Sequence, residues 1–255
     1  MLALSVTACP QPTLQPPMKT DAKVIFLHHS TGQNVWDGGV ANEIALWNTN
    51  GGTSYSVTEF AYPNSPWPWD NYPSDYYRLW VGGEGSATDA NIMPLDALCS
   101  QYDVVIWKHC YPVANIGADS GSADPDSSVK TLENYKAAYI ALKNKMRTFT
   151  EKRFIVWTGA ARLSANCTQE EAQRLRDFHT WIINNWDEDG DNIYVFDFWM
   201  LETEGDGLYL NPTYAVDAGN DHPNPSFCAV VAPKFAERII DVLQGRGDTD
   251  PATGR

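Results

Sequence analysis

The chain has 255 residues, enough for one large domain with a full core. Hydrophobic residues make up 43% and charged residues 20%, a globular balance that excludes a disordered chain. The net charge of −14 excludes nucleic acid and anionic membrane surfaces as partners, because phosphate tracking and leaflet attraction need the opposite sign.

Read from the start, "MLALSVTAC" is a short apolar run ending in Cys9, followed by the proline-rich "PQPTLQPP". It resembles the lipobox of bacterial lipoproteins, without a basic leader. Residues 1–20 are therefore expected to be a targeting segment and linker of an exported protein. A lipid on Cys9 would be its one link to a membrane, since no stretch approaches the ~20 apolar residues of a span. Beyond Cys9 stand Cys99, Cys110, Cys167 and Cys228, which suit either two disulfides or buried thiols.

Five apolar, β-branched runs follow: "KVIFLHH" (23–29), "YSVTEF" (55–60), "DVVIWKH" (103–109), "RFIVWTG" (153–159) and "NIYVFDF" (192–198). Most are nearly continuous, as strands covered on both faces of a parallel sheet must be. Helical periodicity appears over 127–149, over 168–186 with a Thr168/Glu171 capping box, and over 226–245, ending at Gly245. Pro233 predicts a break or kink in the last of these. The alternation predicts an α/β layered domain over 21–245, with a disordered tail over 246–255.

In such a sheet ligands bind beyond the carboxyl ends of the strands. The first strand ends in His28, His29 and Ser30, and the third in Lys108, His109 and Cys110. The last long loop carries "DAGNDHPN", with His222 before the final helix. A serine hydroxyl needs an imidazole within about 3 Å to take its proton, and a third group to fix the imidazole. Ser30 and His222 stand in that order. Taken singly, Ser30 also reads as a cap of the following turn, and His28, His29 and His109 as hydrogen-bonded core residues.

The stretches "VIFLHHSTG", "VVIWKHCYPVANI", "FIVWTGAARL" and "YVFDFW…NDHPN" together resemble the SGNH (GDSL-like) hydrolase superfamily, in a bacterial branch reading HHS in place of GDS. The resemblance implies a flavodoxin-like, three-layer α/β/α fold with a five-stranded, mainly parallel sheet. It implies Ser30 as nucleophile, His222 as base, and an aspartate to orient it. The usual aspartate position, three residues before the histidine, holds Gly219. Asp221 and Asp217 are the candidates, with Asp221 slightly preferred although neighbouring side chains diverge. The oxyanion donors implied are the Ser30 backbone N–H and Asn115, and the loss of one such donor costs ~3 kcal/mol of transition-state stabilisation.

His29 and His109 are candidate substrate contacts. So are Trp67 and Trp69 in the aromatic stretch 62–80, read either as sugar-stacking platforms or as a hydrophobic cluster under a long loop. "DEDGDN" (187–192) lacks the glycine and glutamate of a calcium loop and reads as an acidic turn. No HxH or HxxxH spacing gathers His28, His29, His109, His222 and Asp221 into a metal site, so no cofactor is expected. The leading expectation is an exported serine esterase on small-molecule or glycan esters, a carbohydrate deacetylase in particular. The alternative is a glycan-binding surface lipoprotein that has kept only the scaffold.

Overall fold

In a computed structural model, residues 15–65, 71–204 and 207–248 are described. The expected strands form one five-stranded sheet: β1 (Lys23–His28), β2 (Ser56–Ala61), β3 (Val104–Trp107), β4 (Arg153–Trp157) and β5 (Ile193–Phe196). Every pairing in it is parallel, and the order is β2-β1-β3-β4-β5. This is the flavodoxin-like doubly wound order, whose switch point lies between β1 and β3.

Burial follows from that order. The residues of β3, β4 and β5 are buried throughout, whereas the edge strand β2 is only partly covered. One face of the sheet packs Leu27, Trp107, Val156 and Val195 against Tyr76, Tyr139 and Phe178. The other packs Phe26, Ile106, Trp157 and Phe196 against Val35, Phe235 and Ile239.

The helices are α1 (Ser30–Val35), α2 (Ala41–Gly51), α3 (Pro73–Trp80), α4 (Leu95–Gln101), α5 (Leu132–Arg147), α6 (Gln169–Trp181), α7 (Phe198–Thr203) and α8 (Pro225–Leu243). The Thr168/Glu171 capping box opens α6 as predicted. Against expectation, α8 runs unbroken through Pro233. Pro233 and Ala229 both lie on the exposed face, where the carbonyl that the proline leaves without a donor is open to solvent rather than buried unpaired. An antiparallel hairpin of β6 (Ala215–Asp217) and β7 (Asn220–Pro223) precedes that helix.

Contacts extend beyond both expected domain boundaries. Met18 N–H donates to the Leu243 carbonyl at 2.7 Å, and the Arg153 guanidinium reaches the Pro16 carbonyl. At the other end Arg246 pairs with Asp241 at 2.6 Å, and Arg238 donates to the Gly247 carbonyl at 2.6 Å. The disordered tail expected from 246 is thus corrected for residues 246–248, held by buried partners. Cys9 lies outside the described residues; Cys99, Cys110, Cys167 and Cys228 are free thiols.

Candidate active site

Ser30 follows β1 as the first residue of α1 and is exposed. The cap position belongs to His29, which makes no side-chain cap, so Ser30 is not the turn cap that its place at a strand end suggests. Its hydroxyl donates to Cys110 Sγ at 3.8 Å rather than to an imidazole.

His222 reaches the same rim from β7. Helix α1 packs against this strand, with Asn34 Nδ2 donating to the Pro223 carbonyl at 3.3 Å. The edge of the His222 ring meets Tyr111, the neighbour of Cys110, at 4.9 Å between centroids. The end of β3 therefore bridges the two: Cys110 touches Ser30 and Tyr111 touches His222. Asn224 fixes the approach by capping α8 through Phe227 N–H at 2.9 Å while donating to the Thr213 and Ala215 carbonyls.

The group that orients His222 is not Asp221. Side chains alternate across a strand, so residues two apart share a face and adjacent ones do not. His222 Nδ1–H donates to Asn220 Oδ1 at 2.7 Å, leaving Nε2 as the acceptor nitrogen. Asp221 points the other way, buried, accepting from Arg162 Nε at 2.8 Å, Leu163 N–H at 2.9 Å and Asn166 Nδ2 at 2.7 Å. Asp217 accepts from Gly219 N–H in the hairpin turn. The aspartate expected beside His222 is corrected to Asn220, and reading "NDHP" as a strand would have found it.

Partial burial and the nearby Lys108 charge lower the His222 pKa, with Asp221 opposing them. An imidazole so placed is neutral near pH 7 and able to accept a proton. Asn115, expected among the oxyanion donors, accepts from Arg162 Nη1 at 2.5 Å. Among the described residues its Nδ2 has no partner and remains able to donate. The Arg162 guanidinium lies 5.8 Å from the Tyr111 ring centroid, so Asn115, Arg162, Asp221, Tyr111 and His222 form one connected wall.

The remaining histidines divide by depth. Burial and Lys108 hold His28 neutral, with a pKa lowered to about 3. We assign its proton to Nε2, which lies 2.9 Å from Glu59 Oε2, a shorter contact than Nδ1 makes to the His29 carbonyl. His29 ties the site to the loop after β2 by donating to the Pro63 carbonyl at 2.9 Å.

His109 is a second correction: rather than facing substrate it is buried among Tyr76, Trp107 and Tyr139, with Nδ1 donating to the Asn71 carbonyl at 2.8 Å. The aromatic stretch follows the same logic, because Tyr62, Tyr76 and Trp80 belong to the core and part of the stretch is α3. Trp67 and Trp69 lie outside the described residues. Among the described residues no group of three His, Cys, Asp or Glu side chains is placed to hold a metal.

Comparison with known proteins gives the fold. No family model and no curated protein matches the chain. Among solved structures, an acetyl xylan esterase superposes with a TM-score of 0.51 at 15% identity, covering 85% of this chain and 98% of its own. A gut microbial diltiazem-metabolizing enzyme aligns at TM-score 0.49 and 10% identity, over 91% of this chain; this chain spans 48% of that protein's length. A carbohydrate esterase whose active site displays divergent catalytic and non-catalytic binding functions aligns at TM-score 0.37 and 10% identity, over 93% of this chain and 71% of its own. The chain thus shares the α/β fold of the acetyl xylan esterase.

Proposed function

We propose that the protein is a serine esterase of SGNH type acting on carbohydrate esters, acetyl esters first among them. One observation carries the reading. An exposed serine begins the helix after β1 at the rim where β7 presents an imidazole whose Nδ1–H is held by Asn220. The acetyl xylan esterase that shares the fold supports the substrate class.

In the proposed reaction Ser30 Oγ bonds to the ester carbonyl carbon as its proton passes to His222 Nε2. The imidazolium then gives that proton to the departing alkoxide, leaving an acyl-serine and the free alcohol. Water attacks the acyl-serine with His222 again as base, releasing acid and restoring Ser30. Ser30 N–H and Asn115 Nδ2 are the proposed oxyanion donors. For this the hydroxyl turns from Cys110 towards His222, a tightening that catalytic hydrogen bonds commonly undergo with substrate present. We further propose export, with a lipid on Cys9 as the anchor to the cell envelope.

Hydrolysis of an aryl acetate and of acetylated xylan by purified protein tests the reading. The expected result is turnover that Ser30→Ala and His222→Ala each reduce by at least about a thousandfold. Turnover untouched by Ser30→Ala, or none at all, removes it.

A further inference from the structure

Behind Ser30 the side chain of Lys108 is fully buried, with its ammonium 3.1 Å from Cys110 Sγ. Among the described residues this sulfur is the ammonium's one hydrogen-bonding partner, and the ammonium also stands 5.9 Å from the centroid of the Trp157 ring. Cys110 is itself 3% exposed. Three donors converge on its sulfur: Lys108 Nζ, Ser30 Oγ and the Thr31 backbone N–H. A buried ammonium needs a hydrogen-bonded anion, and a sulfur surrounded only by donors is best satisfied as the anion.

The packing leaves little freedom. A methyl group added at Gly32 would stand 2.4 Å from His28 Cβ and 3.1 Å from Lys108 Cδ, so the lysine stem is wedged under the turn that presents Ser30. The charged and titratable groups around the pair are His28 at the end of β1, His29 after it, Tyr76 on α3, His109 after β3, Glu202 on α7 and His222 on β7, with Glu59 bonded to His28 and Asp221 beside Glu202 and His222. Asp221 is committed to Arg162, and burial keeps Glu202 protonated well above the usual carboxylate range, so neither serves as the counter-ion.

We propose that Cys110 and Lys108 form a buried thiolate–ammonium pair that holds the resting Ser30 hydroxyl at the rim until substrate turns it to His222. The pair is neutral overall, so it also shields His222 from the Lys108 charge. Cys110 is too deep to be the nucleophile; it acts through Ser30. The Lys108 charge lowers the Cys110 pKa against the cost of burial, whereas burial raises Cys99 to about 12 and Cys228 to about 11. The catalytic consequence rests on the esterase reading; the ion pair does not.

The test follows thiolate ultraviolet absorbance against pH in the full-length folded protein, for wild type, Cys110→Ser and Lys108→Met. The difference between wild type and Cys110→Ser isolates this sulfur from the other thiols. The expected result is one thiolate titrating below the ordinary cysteine range in wild type and absent from both variants. On an aryl acetate, Cys110→Ser should lower kcat about tenfold with KM unchanged. Its acid limb should move to lower pH, because Lys108 then acts unopposed on His222. Lys108→Met should lower kcat without that movement, since the remaining thiol is neutral.

A wild-type Cys110 that stays protonated to the ordinary range overturns the pair, and an unchanged kcat in Cys110→Ser overturns the positioning role. If Cys110→Ser does not fold, the titrations of wild type and Lys108→Met decide. A low-pH thiolate in a wild type that hydrolyses no ester removes the esterase reading and upholds the pair.

Discussion

His222 and Asp221 are adjacent in sequence and face opposite sides of β7, one meeting Asn220 at 2.7 Å and the other Arg162 at 2.8 Å. The strand separates two tasks: Asn220 holds the tautomer of the base, while the Asp221 carboxylate braces the loop after β4. A carboxamide fixes the ring but gives an imidazolium less stabilisation than a carboxylate would.

Replacing Asn220 tests that division. Asn220→Asp places a charge on Nδ1 and should raise the His222 pKa, moving the acid limb of kcat/KM on an aryl acetate to higher pH. Asn220→Ala should lower kcat about tenfold or more by freeing the ring. The pH–rate profiles of the two variants check both directions.

Asp221 should behave as a structural residue. Asp221→Ala strands the Leu163 N–H, the Asn166 amide and one edge of Arg162, at a cost of about 3 kcal/mol. Urea unfolding measures that loss, and the acid limb of the activity profile should shift little by comparison.

The wild-type acid limb should itself fall below the ordinary histidine value of 6.5, because partial burial depresses His222. Steady-state kcat/KM measured from pH 4 to pH 8 would locate it, on a scale where about one pH unit is 1.4 kcal/mol.

Buried histidines also set the acid stability. His28, His109 and His179 each have a folded-state pKa lowered to about 3. The unfolded chain takes up these protons near pH 6.5 and the folded one does not, so their contribution is full above that value. It is lost as pH falls from there towards about 3. Denaturant midpoints in this range should fall steeply for wild type and less steeply for His179→Gln.

How much of this was legible in the sequence depends on which periodicity carried the information. Continuous apolar runs such as "DVVIW" and "RFIVW" mark strands covered on both faces, and all five were readable. The short helices α1, α3 and α4 were not, because α3 is set by Pro73 in its first turn and by Asp75 accepting from the Tyr72 N–H, and α1 and α4 by tertiary packing, rather than by a long amphipathic stripe. Ser30 stood out at a strand end and His222 in the long loop before the final helix. Asn220 was hidden because three of the four residues of "NDHP" are polar, so the alternating burial of that strand leaves no apolar–polar pattern in the sequence. The pairing of Lys108 with Cys110 was hidden too, since nothing in "WKHCY" tells which side chains turn inward.

Mass spectrometry of the protein after reaction with a serine-directed fluorophosphonate tests the nucleophile most directly. The account predicts one adduct, on the peptide containing Ser30, formed in wild type and absent from Ser30→Ala. An adduct that persists in Ser30→Ala, or a wild type that takes up none, would contradict it.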